Sequence, residues 1–214
     1  LYRAVAARSR PLGRVMSDLF QEPDDATPLV PAERDGLKLT WITTRADLNA
    51  AEQDNIDAGA AWAFRSRRAN ILTVAFSIAL HRQMFGQVWD WAGHYRTTER
   101  NIGIAPYRIG TETAQLFDDA AFWVANETYE PDELAVRLHH RLVFVHPFPN
   151  GNGRHARMMA DLLIRRLGAP PFSWGSNRDD GVIHDIGDLR KRYVSALRAA
   201  DGNDYEPLIA FARS

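Results

Sequence analysis

Cysteine is absent from this 214-residue chain. Disulfides and thiolate metal sites are therefore excluded, and a reducing, cytoplasmic compartment is expected. Long hydrophobic runs are missing too: nothing approaches the ~20 apolar residues of a membrane span. No signal-peptide core stands near the start. Charge of one sign is also lacking, since 26 Lys and Arg stand against 27 Asp and Glu, for a net charge of −1. Such a balance argues against a dedicated nucleic-acid or membrane surface. There is no internal repeat and no low-complexity tract. What remains is one domain of ordinary apolar content, 45%, with a sizeable core available.

Residues 1–40 read as an N-terminal arm or leader, with Arg3, Arg8, Arg10 and Arg14 followed by Pro23, Pro28 and Pro31. A targeting peptide or a partner-docking arm is the alternative. Thr44 with Asp47 three residues later resembles a capping box and predicts a helix to about Arg65. A second helix is predicted over Asn70 to Phe85, apolar nearly all round and hence central, with Gly86 as its stop. Trp89-Asp90-Trp91-Ala92-Gly93-His94-Tyr95 forms an aromatic knot, read as core. The Thr- and Ile-bearing stretch from Arg96 to Ile104, broken by Asn101 and Gly103, predicts one small β-hairpin. Further helices are predicted at about 108–126, 131–145, on to Leu167, around Leu189–Leu197, and from Tyr205 to Ala212. The fold class is all-α: a compact helical bundle carrying one hairpin.

The chemistry concentrates in one stretch, His146-Pro147-Phe148-Pro149-Asn150-Gly151-Asn152-Gly153-Arg154-His155-Ala156-Arg157. Leu134, Leu138, Leu142 and Val145 precede it at near-helical spacing, and Met159, Leu162, Leu163 and Leu167 follow it likewise. It is therefore a tight turn between two core helices. The prolines cannot continue the first helix. A turn running into a helix start exposes unpaired N–H groups and the positive end of the helix dipole, a natural anion site. Arg154 and Arg157 lie three apart on one helix face, and two guanidiniums beside a glycine nest suit a polyphosphate. His146 stands on the opposite lip and titrates near neutrality, so it can take a proton from a hydroxyl.

These residues strongly resemble the core of the Fic (Fic/Doc) family, H-x-F-x-D/E-G-N-G-R-x-x-R. His146, Phe148, Gly151, Asn152, Gly153, Arg154 and Arg157 match. Trp89-Ala92-Gly93 with Tyr95-Arg96-Thr97-Thr98 is similar to the approach to that family's flap. The resemblance covers roughly residues 40 to 212, which makes 41–214 a Fic-like domain. Within the family the chain is similar to a bacterial branch named mobile mystery protein B. The resemblance implies a Fic-type bundle and transfer of a nucleotide monophosphate, usually AMP from ATP, to a protein hydroxyl. It makes His146 the base, Phe148 a buried anchor, and Gly151, Asn152 and Gly153 the phosphate cradle. Arg154 and Arg157 would hold the β- and γ-phosphates. A flap bearing Thr97, Thr98, Ile102 and Gly103 would align the target segment by strand addition. Asn150 stands where the family carries an acid that ligates Mg²⁺, so weaker metal binding is implied. Glu52 is the candidate inhibitory glutamate, expected to pair with Arg157, although Leu48 and Gln53 depart from the family's inhibitory pattern. The branch further implies a companion helix-turn-helix regulator.

A zinc site among His139, His140, His146 and His155 lacks an H-x-x-x-H or E-x-x-H pair on one helix face. His139 and His140 read as packing residues or as supports behind the site, and His155 as a surface or core-edge residue. The rival to a transferase is a nucleotide-binding regulatory module with weak or no activity, which Asn150 favours. Oligomeric state is not legible in the sequence.

Overall fold

Thr44 begins the first long helix as the sequence predicts. Its hydroxyl accepts from the Asp47 N–H at 3.1 Å, and the Asp47 carboxylate accepts from the Thr44 N–H at 2.9 Å. This reciprocal pair satisfies two helix-start donors that otherwise have no partner. The computed structural model describes residues 29–66, 69–176 and 186–214. Most of the arm over residues 1–40 lies outside the described residues, as do residues 67–68 and 177–185. The described residues form eight α-helices: α1 Pro31–Arg34, α2 Arg45–Arg65, α3 Val74–Phe85, α4 Ile109–Ala125, α5 Pro131–Val145, α6 Asn152–Arg166, α7 Ile186–Asp201 and α8 Glu206–Arg213. None is long and apolar enough to cross a membrane.

The predicted helices therefore appear, with small shifts at their ends. The second starts at Val74 rather than Asn70, because Thr73 caps it by accepting from the Phe76 N–H at 3.1 Å. A 3₁₀ turn over Pro106–Arg108 leads into α4. The short α1 was not foreseen. Leu29 before it is buried, and Glu33 accepts from the Val30 N–H at 3.0 Å.

α5 and α6 pack side by side in the centre and carry fully buried Ala135, Val136, Leu138, Ala156, Met159 and Ala160. α2 and α3 form a second closely packed pair. The contact is close because Gly59 has no side chain: a Cβ there would stand 2.8 Å from the backbone N and Cα of Met84. Asn55 reinforces the pair by donating to the Gln83 carbonyl and accepting from the Gln87 N–H, both at 2.8 Å. The aromatic knot is core, as expected: Trp89 is fully buried and stacks on Trp91 with ring centroids 5.1 Å apart.

The predicted hairpin is absent. Among the described residues there is no strand, only a single antiparallel bridge between Leu37 and Trp89. Residues 97–104 form an irregular flap instead. Its carbonyls are taken by a buried guanidinium, since Arg96 donates to the oxygens of Thr98, at 2.9 Å, and of Ile104. Those acceptors are then not available for a strand ladder.

The close approach at Gly59 predicts that Gly59→Val forces α2 and α3 apart. Overpacking of this kind costs roughly 1–3 kcal/mol. Urea unfolding followed by far-ultraviolet circular dichroism measures it, and an unchanged midpoint contradicts the packing described.

Candidate functional site

The motif turn departs from α5 at a strained residue. His146 caps the helix in the left-handed region at φ 51°, a conformation that costs energy for a side chain with a Cβ and is often retained where function needs it. Pro147 and Pro149 carry the chain away from the helix axis. Gly151 then takes φ 77°, where a Cβ would stand 2.5 Å from the Phe85 ring, so both the backbone and the space require glycine. Asn152 closes the loop with both ends of its side chain. Its Oδ1 accepts from the Phe148 N–H at 2.9 Å, and its Nδ2 donates to the Phe148 carbonyl at 2.8 Å.

Phe148 is fully buried and stacks on His81, with centroids 3.7 Å apart. His81 holds the loop as well. The Gly93 N–H donates to its Nδ1 at 2.9 Å, so the proton lies on Nε2, which donates to the Asn150 carbonyl at 3.1 Å.

The first paired amide of α6 is that of His155, which donates to the Gly151 carbonyl at 2.9 Å. The amides of Asn152, Gly153 and Arg154 have no acceptor among the described residues, as expected of a helix start open to a ligand. They open on a cavity of about 500 Å³ that His146, Asn150, Gly151, Arg154 and Arg157 also line. That volume falls within the usual range for small-molecule sites. The cradle role expected of Asn152 is thus limited to its backbone, because its side chain is turned inward.

The two arginines have different neighbours. Arg154 donates to Glu52 Oε2 at 2.8 Å, and Glu52 Oε1 accepts from the Trp89 indole N–H, also at 2.8 Å. Glu52 therefore does reach the motif from α2, but at Arg154 and not at Arg157 as the sequence suggested. Arg154 lies in the first turn of α6, beside α2. Arg157 lies 5.6 Å over the Tyr193 ring of α7 and makes no ion pair among the described residues.

His146 is buried, and apart from the Val143 carbonyl its ring nitrogens have no hydrogen-bond partner among the described residues. Burial, and then the Arg96 guanidinium, hold its pKa down at about 4, against the opposing pull of the Val143 carbonyl. It is therefore a neutral imidazole at pH 7. Of the flap residues, Thr97 and Thr98 are exposed and Ile102 borders the cavity. Gly103 lies against His146: a Cβ on it would stand 2.6 Å from the His146 Cβ.

Residues 71–164 match the Fic/DOC family. The chain carries a Fic domain. It is 30% identical over 150 residues to "Protein adenylyltransferase Fic" of Nematostella vectensis, covering 68% of this chain and 32% of that protein. It is 29% identical over 154 residues to "Protein adenylyltransferase fic-1" of Caenorhabditis briggsae, covering 68% and 27%. The chain thus spans about a third or less of the length of these curated relatives. Among solved structures it is similar to Fic-1 from C. elegans, with a TM-score of 0.58 and 23% identity over 95% of this chain and 60% of that one. It is also similar to the BepC protein from Bartonella tribocorum with bound AMPPNP, with a TM-score of 0.60 and 19% identity over 86% and 97%. At these identities the structures show the fold.

Four participants in this Fic domain escaped the sequence reading: Arg96, His81, Trp89 as the donor to Glu52, and Tyr193. Arg96 and Trp89 stood in stretches already singled out, but nothing local marks an arginine for burial. His139 and His140 do pack, whereas His155, expected at the surface or core edge, is buried. His155 Nε2 lies 3.0 Å from the Ser77 carbonyl, His139 Nε2 lies 3.0 Å from the Tyr193 hydroxyl, and His140 Nε2 lies 2.9 Å from Asp201.

Burial holds His81 and His139 well below the ordinary value of 6.5 and brings His155, like His146, to about 4. Below pH 6.5 the unfolded chain binds protons that the folded one refuses, so stability rises with pH between about 4 and 6.5. Urea midpoints measured at pH 7 and pH 5 should show the protein less stable at pH 5, and an equal or higher midpoint at pH 5 contradicts the neutral buried imidazoles.

Proposed function

We propose that this Fic domain moves AMP from ATP to a Ser, Thr or Tyr hydroxyl of a target protein. The supporting observation is a neutral imidazole beside a cavity that also presents three open amides and two arginines. His146 Nε2 takes the hydroxyl proton as the oxygen attacks the α-phosphorus. The bond from that phosphorus to the bridging oxygen breaks, and pyrophosphate leaves. The amides of Asn152, Gly153 and Arg154 hold phosphate oxygens, as Gly151 shapes the turn that aims them. Arg154 and Arg157 neutralise the outer phosphates. Positioning and charge do most of the work in such a transfer. The target chain lies along the flap at Thr97, Thr98, Ile102 and Gly103.

A resident Mg²⁺ does not fit the described residues. Position 150 offers a neutral amide whose Oδ1 accepts from the Gly151 N–H, and no cluster of three acidic, His or Cys residues is present among them. The proposed transfer accordingly rests on these side chains and amides.

Glu52 favours a second reading, in which the protein binds nucleotide but transfers slowly. Its carboxylate holds Arg154 at 2.8 Å, where a phosphate is proposed to sit. Glu52 is then a brake on the same site.

Incubation with labelled ATP and divalent metal tests both readings. Wild type should label itself or an added target weakly. Glu52→Gly should label roughly tenfold faster or more, because an ion pair of this geometry competes with phosphate. His146→Ala should abolish labelling in both backgrounds. ATP binding without label even in Glu52→Gly favours the binding module.

A further inference from the structure

The flap is attached to the motif through one side chain. Arg96 is 2% exposed. Its Nε donates to the carbonyl of His146 at 2.7 Å, its Nη1 to that of Thr98 at 2.9 Å, and its Nη2 to those of Ile104 and, at 3.4 Å, Val145. Its own N–H donates to the Pro147 carbonyl at 2.9 Å. One guanidinium thus joins both ends of the flap to the two residues that end α5. No carboxylate pairs with it among the described residues; backbone oxygens do the whole work. Arginine suits this, because its planar fork presents five fixed donors and stays charged in a buried place.

Two further contacts make the strap specific. Gly103 lies on it, since a Cβ there would come within 2.8 Å of Arg96 Nη2 and 2.6 Å of the His146 Cβ. Arg100, four residues on, is ion-paired to Glu33 of α1, which anchors the outer side of the flap. Beyond the pull of the Val143 carbonyl, no hydrogen bond fixes the His146 ring among the described residues. Its orientation therefore depends on its left-handed backbone and on what is packed around it, and Arg96 holds that backbone carbonyl.

We infer that Arg96 is the positioning residue that couples the flap to His146, fixing the proposed base and the target-binding segment relative to each other. The inference rests on the proposed transfer for its consequence in catalysis, but not for its geometry. Arg96 does not touch the phosphate cradle, so nucleotide binding and transfer should respond to it differently. The charged groups that bear on His146 are Arg96 and Arg100, both from the flap side. Replacing Arg96 by a neutral residue therefore raises the His146 pKa from about 4 towards 6.5, whereas a lysine keeps the charge and loses the fork.

The test uses the full chain with Arg96→Lys, Arg96→Gln and, as a variant that leaves Arg96 in place, Gly103→Val. The imidazole signal of His146, assigned with His146→Ala, is followed by NMR, and amide hydrogen exchange is measured over residues 97–104. ATP affinity and transfer rate are measured alongside. In both Arg96 variants the flap amides should exchange faster and the His146 signal should shift. Its titration should move up in Arg96→Gln and stay low in Arg96→Lys. ATP affinity should stay within about twofold while kcat falls by roughly a hundredfold, as expected when a reacting group is misplaced.

Flap exchange and a His146 signal identical to wild type overturn the inference. So does a uniform loss of stability and ATP binding with no selective change at the flap, which marks Arg96 as a core residue only. If the Arg96 variants do not fold, Gly103→Val decides by the same readouts, and an undisturbed His146 signal there overturns the coupling. Wild type that binds ATP and transfers nothing overturns the proposed reaction, while NMR and exchange still judge Arg96.

Discussion

The chain must reverse between two central helices, α5 and α6, without leaving backbone groups unpaired in the core. Unpaired buried N–H and C=O groups are costly, so the turn has to satisfy itself. Asn152 does most of this by returning both halves of its amide to Phe148. His81 takes the Asn150 carbonyl and supports the Phe148 ring. Arg96 takes the carbonyls of Val145 and His146, and its backbone takes that of Pro147. Once these partners are assigned, three amides at the start of α6 are left over, and they face the cavity. The candidate anion site is thus what remains of a turn that pairs most of its own backbone groups.

The periphery reaches this turn through two carboxylates. Glu33 of α1 pairs with Arg100 on the flap, and Glu52 of α2 pairs with Arg154 at the start of α6. Neither pair needs to add much net stability, because desolvation offsets much of the attraction between partly buried charges. Their geometry matters more. Glu52 is itself held by Trp89, and Trp91 donates to the Glu33 carbonyl at 3.0 Å. The two stacked tryptophans therefore align α1 and α2 against each other, and through them the flap and the motif. The aromatic knot has a role beyond filling space.

Much of this was legible in the sequence for identifiable reasons. The helices announced themselves because their apolar residues recur at helical spacing, and Thr44 with Asp47 marked a start that local hydrogen bonds alone can make. The motif was legible because its glycines, prolines and arginines must stand at fixed spacing to form one turn. The hairpin was misjudged for an equally physical reason. Threonine and isoleucine favour strands when they find a partner strand, and here a guanidinium from residue 96 took the carbonyls first. The partner of Glu52 could not be read from α2, since which of two arginines three residues apart it meets depends on how two helices cross. Likewise, nothing in Tyr95-Arg96-Thr97 reveals that the arginine points inward. Side-chain contacts between distant segments are the part of a fold that local pattern does not encode.

The flap arginines also bear on how a base with a pKa of about 4 can serve the proposed transfer. Such an imidazole is always neutral near pH 7 and so always able to accept a proton, but it is a weak base towards a hydroxyl. Burial and two cations make it so. A nucleotide in the cavity would bring several negative charges beside the same ring. Opposite charge favours the protonated form, so binding would raise the pKa that Arg96 and Arg100 hold down. The base would then gain strength only when the phosphate chain is present. Glu52 cannot substitute for the nucleotide in this respect, because its charge is already matched by Arg154 at 2.8 Å. In the proposed transfer, the burial that weakens the base would thus make proton removal depend on a bound nucleotide.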